Sequence, residues 1–415
     1  MHSIFDYLYW RGDLGFDESP LNEVDSLILA RFSYMPMEMI GLQNLSKEKV
    51  VPLKEVASLI ISRMKEIPEE KRVFLNKQDI HLLEALSNSE RFSSLGVFAF
   101  RYELDDETQT QFCAVSLKLG SKTGPDIFVA FRGTDNTLIG WKEDCNMGFI
   151  CPVPAQVLAA EYLDEIASCS NFMGTSGYET SCTAPCINKS FINKPCTHKP
   201  DIIVAGHSKG GNLAVYAASF CSSASQKRIV HVYNFDGPGF NEATISSPDF
   251  GKVDMRVRTF VPQCSMVGIL MWHREPFTIV RSDGVGVFQH DAYTWQIMGG
   301  SFLTLRERTG HSHFADNTIK HWLEELTPDM RRQVIDGIYS VLCASEGKNV
   351  SELFEARNAM SVLKAAGAMD EKTKTAVLEA FRLLGAAMIE GVPAWIERTA
   401  SNVAQKMPQR PTREG

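Results

Sequence analysis

The sequence predicts an α/β fold, a largely parallel sheet covered by helices, and three observations predict it. Apolar runs of strand length alternate with helical patterns through the middle of the chain. One of those runs ends in a glycine-flanked turn that leads directly into a helix. The composition, 44% hydrophobic and 22% charged over 415 residues, is that of an ordinary globular protein rather than a disordered chain or a long coiled coil. This length suits two or three domains and excludes a miniprotein held by staples. Subtracting 50 acidic from 42 basic residues gives a formal charge of -8, which removes any global electrostatic reason to bind nucleic acid or an anionic membrane.

The elements follow in order. After an aromatic opening, NEVDSLILARFSYM, VPLKEVASLIISRMKEI and NKQDIHLLEALSNSERF carry amphipathic helical spacing, so residues 1–90 read as a helical region packing on the core. VFAFRYEL, QFCAVSLKL and DIFVAFRG are successive strands, followed by a helix from Pro154. A cysteine-containing insertion over 165–200 separates that helix from the strand DIIVAGHS and the helix GGNLAVYAASFCSSA. RIVHVYNFDG, RVRTFVP and EPFTIVRSD are further strands, and the core is read as 91–325. Helical patterns return over 326–405, and a polar, Pro-rich tail over 406–415 reads as frayed.

Chemistry concentrates at Gly206-His207-Ser208-Lys209-Gly210. Small residues two before and two after a serine permit the sharp strand-to-helix turn that holds a hydroxyl above a sheet, so Ser208 is the candidate nucleophile and an inert turn the alternative. A serine hydroxyl needs a base, and the base needs an orienting acid. Downstream candidates are His273, His290, His311, His313 and His321. His290 leads because FQHDAYTW lies beyond the last strand, with His311 and His313 in reserve, while His207 is set aside as a base by its place inside the turn. For the acid, Asp236 follows the strand after the nucleophile unit; Asp283, ending a later strand, is the runner-up, and Asp291 is awkwardly adjacent to the base. Backbone N–H groups after two different strands commonly hold an oxyanion. Lys209 supplies one, and Thr134 in FVAFRGTDN the other through its N–H and hydroxyl, with a plain β-turn as the alternative there. Arg132, Asp135, Trp141 and Asp144 read as buttresses of that loop. The Lys209 side chain reads either as lining the mouth to attract an anionic substrate or as a solvated residue at a helix start.

Other signals are weaker. Cys169, Cys182, Cys186 and Cys196 lack compact paired zinc spacing, so the insertion reads as a metal-free lid over an acyl pocket. No phosphate-binding loop is present, and neither cofactor nor metal is expected. No apolar run approaches 18 residues, so no transmembrane segment is expected; transient membrane contact is left open through the cysteine loop, and the C-terminal aromatics and methionines read first as packing and second as an apolar substrate groove. The opening does not read as a signal peptide, making a cytoplasmic location with reduced thiols the default. Oligomeric state is not legible.

These residues resemble an α/β hydrolase of the class 3 lipase type, particularly its bacterial Mbeg1-like branch, formerly the uncharacterised family DUF2974. The resemblance rests on FDYLYWRGDLGFDESPLNEVDSLILARFSYM, FVAFRGTDNTLIGWKEDCNM, IIVAGHSKGGNLAVYAA, YNFDGPGF, VPQCSMVGILM and FQHDAYTW, and covers roughly residues 1–325. It implies an α/β-hydrolase core, Ser208 as nucleophile, Lys209 and Thr134 in the oxyanion hole, and His290 as base. Class 3 lipases usually place the acid in an Asp-x-Val-Pro-like segment; FVPQCSMVG has no aspartate, which leaves Asp236 on the preceding strand. The implied activity is a serine esterase acting on a small-molecule or lipid-like ester. An acyltransferase would use the same serine with an acceptor alcohol or amine, and a noncatalytic binding or scaffold protein would keep the turn as architecture alone.

Overall fold

In the computed structural model the chain is described over residues 3–308, apart from 43–44, 47–48, 68–75, 122–123, 136, 149 and 170–199, and at residue 375. Most of the expected insertion, the expected helical region 326–405, the tail 406–415, and His311, His313 and His321 therefore lie outside the described residues. Four helices come first: α1 (Ile4–Arg11), α2 (Glu23–Phe32), α3 (Leu53–Lys65) and α4 (Asp79–Asn88). Reciprocal caps start the first two. Ser3 Oγ accepts from Asp6 N–H while the Asp6 carboxylate accepts from Ser3 N–H, and Asn22 with Asp25 repeats the device. Asp25 then continues inward, where Arg91 Nη2 reaches it at 2.5 Å and the Tyr7 hydroxyl at 2.8 Å, so a cap also ties the opening segment to residue 91.

The main sheet has the spatial order β1 (Val51–Pro52), β2 (Gly96–Asp105), β3 (Thr110–Lys118), β4 (Ile127–Phe131), β5 (Ile202–His207), β6 (Ile229–Phe235), β7 (Val257–Pro262), β8 (Phe277–Val280) and β11 (Thr304–Leu305). Strands β4 to β8 are parallel, and the pairs on either side of them are antiparallel. A small hairpin, β9 (Ile297–Met298) with β10 (Ser301–Phe302), stands apart. Helices α5 (Leu138–Asn146), α6 (Pro154–Ser168), α7 (Lys209–Phe220), α8 (Ser223–Gln226) and α9 (Glu242–Ile245) complete the described set. The α/β class expected from the sequence is the class observed, with the helix-covered sheet of an α/β hydrolase.

Parallel strands covered on both faces are apolar on both faces, and period-two alternation sorts their side chains into two cores. Ile203 and Ala205 of β5 join α1 to α4, whereas Ile202 and Val204 join α6 and α7. β4 divides the same way, Phe128 and Ala130 against Ile127 and Val129. Among the described residues, no helix is long and apolar enough to cross a membrane.

Candidate active site

The site is built at the carboxyl end of β5, where parallel α/β sheets place their ligands. Ser208 lies between β5 and α7 at φ 59° and ψ -135°, backbone that residues with a Cβ rarely adopt. Its N–H donates to the Phe235 carbonyl at 2.9 Å, and its carbonyl accepts from Gly211 N–H at 2.8 Å. The flanking glycines are a steric requirement: a Cβ on Gly206 would stand 2.1 Å from the Gly210 carbonyl carbon, and one on Gly210 would stand 2.2 Å from Phe131 O. The loops after β4 and β6 close on the same turn. A Cβ on Gly133 would fall 3.0 Å from Ser208 Cβ, and one on Gly237 would fall 2.4 Å from Ser208 O. The serine remains half-buried at the surface of this cluster.

Asp236 follows β6 and is completely buried, with its own positive φ of 52°. Its Oδ2 lies 2.7 Å from His290 Nδ1, while Oδ1 accepts from Ser265 Oγ at 2.5 Å and Gly268 N–H at 3.1 Å. The segment FVPQCSMVG, which lacks an aspartate, thus supplies two donors that orient one. A carboxylate on Nδ1 holds an imidazole with Nε2 available as a proton acceptor. Asp283 is not in this arrangement: it is exposed, and its carboxylate accepts from Gln296 Nε2 at 2.5 Å. Asp291 accepts from Asn76 Nδ2 at 2.7 Å. His273 pairs elsewhere, with Glu275 at 3.4 Å.

Lys209 opens α7, so its N–H is one of the first-turn groups that no intrahelical carbonyl satisfies. Its side chain occupies neither the mouth nor the solvent, as the sequence suggested. Buried to 1% exposure, Nζ donates to Gln111 O at 2.9 Å, to Gln111 Oε1 at 2.5 Å and to Glu143 Oε2 at 3.0 Å. Glu143 also accepts from Gln111 N–H and Ala155 N–H, so α5, β3 and α6 meet at one carboxylate. Beside it, burial pushes the Asp144 carboxyl up to about 6. Asp144 accepts the Thr134 hydroxyl proton. A hydroxyl has one proton to give, which leaves the Thr134 N–H as that residue's other donor. Arg132 anchors the loop, donating to Ser33 O, Met35 O and Glu38.

Sequence reasoning missed the neighbours of His207. Its ring lies 4.6 Å from the His290 ring, and its Nε2 is 2.8 Å from the His290 carbonyl oxygen. The Tyr34 hydroxyl stands 3.0 Å from His207 O and 3.3 Å from His207 Nδ1, joining the segment after α2 to the turn. Burial, then the nearby His290 and Arg31, hold the His207 pKa well below its ordinary value, so the ring is neutral. Farther out, Arg31 pairs with Asp79 at 2.5 Å, and the Tyr293 hydroxyl donates to the same Asp79 oxygen at 2.7 Å. No local sequence pattern announces contacts between residues 173 and 214 positions apart.

Among the described residues, no group of three or more His, Cys, Asp or Glu side chains is placed to hold a metal ion. Residues 86–340 match the family model described as Mbeg1-like. No curated protein matches the chain. Among solved structures it is similar to the crystal structure of M37 lipase, with 19% identity, a TM-score of 0.33, and coverage of 59% of this chain and 68% of that one.

Proposed function

The chain belongs to the Mbeg1-like family, and from that premise we propose that it is a serine hydrolase cleaving a carboxylic ester, small or lipid-like, through an acyl-enzyme on Ser208. The observation that carries this reading is the conjunction of Ser208 in a strained strand-to-helix turn with a buried Asp236 bonded to His290 Nδ1 at 2.7 Å. In the proposed reaction His290 Nε2 takes the Ser208 proton as Oγ bonds to the ester carbonyl carbon. The oxyanion is held by the N–H groups of Lys209 and Thr134. Collapse breaks the bond to the alkoxide, which leaves with the proton from His290. Water, deprotonated by the same imidazole, then releases the acid and restores the serine. Asp236, its other oxygen occupied by Ser265 and Gly268, keeps His290 in the tautomer these steps need.

Mass spectrometry after incubation with a fluorophosphonate probe tests the reading. The expected result is one adduct on Ser208, absent from Ser208→Ala and lost from His290→Ala, with both variants folded. A folded wild type that takes no adduct would sink the enzyme reading and leave the noncatalytic scaffold. Acyl transfer to an added alcohol in preference to water would favour the acyltransferase over the esterase.

A further inference from the structure

The nucleophile turn and the proposed base lie 82 positions apart in sequence, yet the mechanism needs their side chains placed to within fractions of an ångström. Asp236 controls the His290 ring through Nδ1, but a ring is only as well placed as the main chain that carries it. Besides that contact, the short turn Gly286–His290 is bonded to neighbouring segments through Gln289 and through its last carbonyl. Cys264 N–H donates to Gln289 Oε1, Trp295 Nε1–H donates to Gln289 O, and His207 reaches the carbonyl of His290 itself. We propose that His207 is a positioning residue for the base: its Nε2–H, donated to the main-chain carbonyl of His290, locks the turn that carries the nucleophile to the turn that carries the imidazole. This rests on the reading of Ser208 and His290 as nucleophile and base.

The chemistry of the contact fixes its details. A carbonyl oxygen only accepts, so at 2.8 Å His207 Nε2 carries the proton and the neutral ring keeps Nδ1 bare. Nδ1 then faces the Tyr34 hydroxyl at 3.3 Å; the single phenol proton goes to the nearer His207 carbonyl at 3.0 Å, so Tyr34 braces the backbone immediately before Ser208 and packs beside the ring. Tyr34 in turn lies under the Arg31 guanidinium, 4.2 Å from the ring centre. The neutral state matters as well as the bond. Proton transfer from Ser208 makes His290 a cation, and a second cation on a ring 4.6 Å away would oppose that step.

Labelling kinetics and nitrogen NMR on the full chain test the proposal. The rate of fluorophosphonate adduct formation on Ser208 is measured for wild type, His207→Phe and His207→Gln. Phenylalanine keeps an aromatic ring but donates nothing and should slow labelling by about 10- to 100-fold, the cost of a small misplacement of reacting groups. Glutamine extends an amide N–H toward the Nε2 position and should recover the rate to within about 3-fold of wild type, a rescue that packing alone does not predict. A phenylalanine variant labelling at the wild-type rate, or a folded glutamine variant as slow as phenylalanine, overturns the proposal. In 15N-histidine spectra of wild type, assigned against His207→Gln, His207 should be neutral and protonated on Nε2 at pH 7; an Nδ1–H form or a cation overturns it without recourse to any variant's folding. A wild type that takes no label overturns the reading of Ser208 instead, and the positioning role with it.

Discussion

His207 and Lys209 flank the same serine, and both are buried polar side chains, but they are held by opposite chemistry. On the side of the N-terminal helices, His207 is neutral and meets a carbonyl and a phenol. On the other, Lys209 meets a carbonyl, an amide oxygen and the Glu143 carboxylate. The partner each side must not disturb differs. His290 lies against His207 and must become a cation in the proposed reaction, whereas the Lys209 ammonium has Glu143 and Asp144 to balance it. On the His207 side the Asp236 carboxylate meets the far nitrogen of His290 rather than His207, and the Arg31–Asp79 pair stands one layer out beside Tyr293. The turn is thus braced by an ion pair at Lys209 and by neutral groups at His207, which leaves Asp236 alone to balance the charge that forms on His290.

The comparison breaks most visibly on the Lys209 side. Lys209→Met should leave the fully buried Glu143 carboxylate without its cation and cost about 3–5 kcal/mol, read as the loss of unfolding free energy in denaturant titrations. Adding Glu143→Gln should restore most of that loss, because the penalty comes from a stranded charge rather than from a missing attraction. A single variant as stable as wild type would mean that the pair braces nothing. The matching deletion on the other side is milder. Tyr293→Phe removes one hydroxyl from Asp79 while leaving Arg31 in place, and should cost about 0.5–1.5 kcal/mol by the same titration. A loss as large as that of Lys209→Met would show that both sides depend on buried charge and would erase the contrast.

The sheet was far more legible in the sequence than the bracing of the turn. VFAF, IIVAGH and VYNF are mostly apolar because those stretches of β2, β5 and β6 are covered, so strand after strand could be read from its local apolar run. Helix α5 could not: its sequence LIGWKEDCN turns Lys142 and Glu143 inward, the reverse of the pattern that marks an amphipathic helix. The same inversion misdirected the reading of the Lys209 side chain, since a lysine at a helix start is ordinarily solvated. Helix α1 read only as an aromatic opening, although Ser3 and Asp6 carry the spacing of a reciprocal cap. Strands β9, β10 and β11 have two residues each, too few to show any period. At the site, the turn around Ser208 is local and legible, and Asp236 and His290 were readable as candidates. The roles of Tyr34, Ser265 and Gly268 depend on contacts that form only once the chain is folded.

The two sides should also answer pH with opposite slopes, the subtlest of the expected effects. Burial raises Asp144 from its ordinary 3.8 to about 6, so the folded chain binds that proton more tightly than the unfolded chain. The stability this contributes is fully present below 3.8 and is lost as pH rises through about 6. His207 is shifted the other way, its folded pKa lying below the ordinary 6.5, so the unfolded chain binds the proton more tightly. Its contribution is present above 6.5 and is lost as pH falls below that value toward the folded pKa. Between pH 4 and 6.5 the two groups therefore pull stability in opposite directions. Asp144→Asn should gain on wild type as pH rises through this window, while His207→Gln should gain as pH falls. Parallel stability curves for wild type and Asp144→Asn would show that the carboxyl beside Thr134 is not raised. Parallel curves for wild type and His207→Gln would show that the imidazole against His290 is free to take a proton, which its burial should oppose.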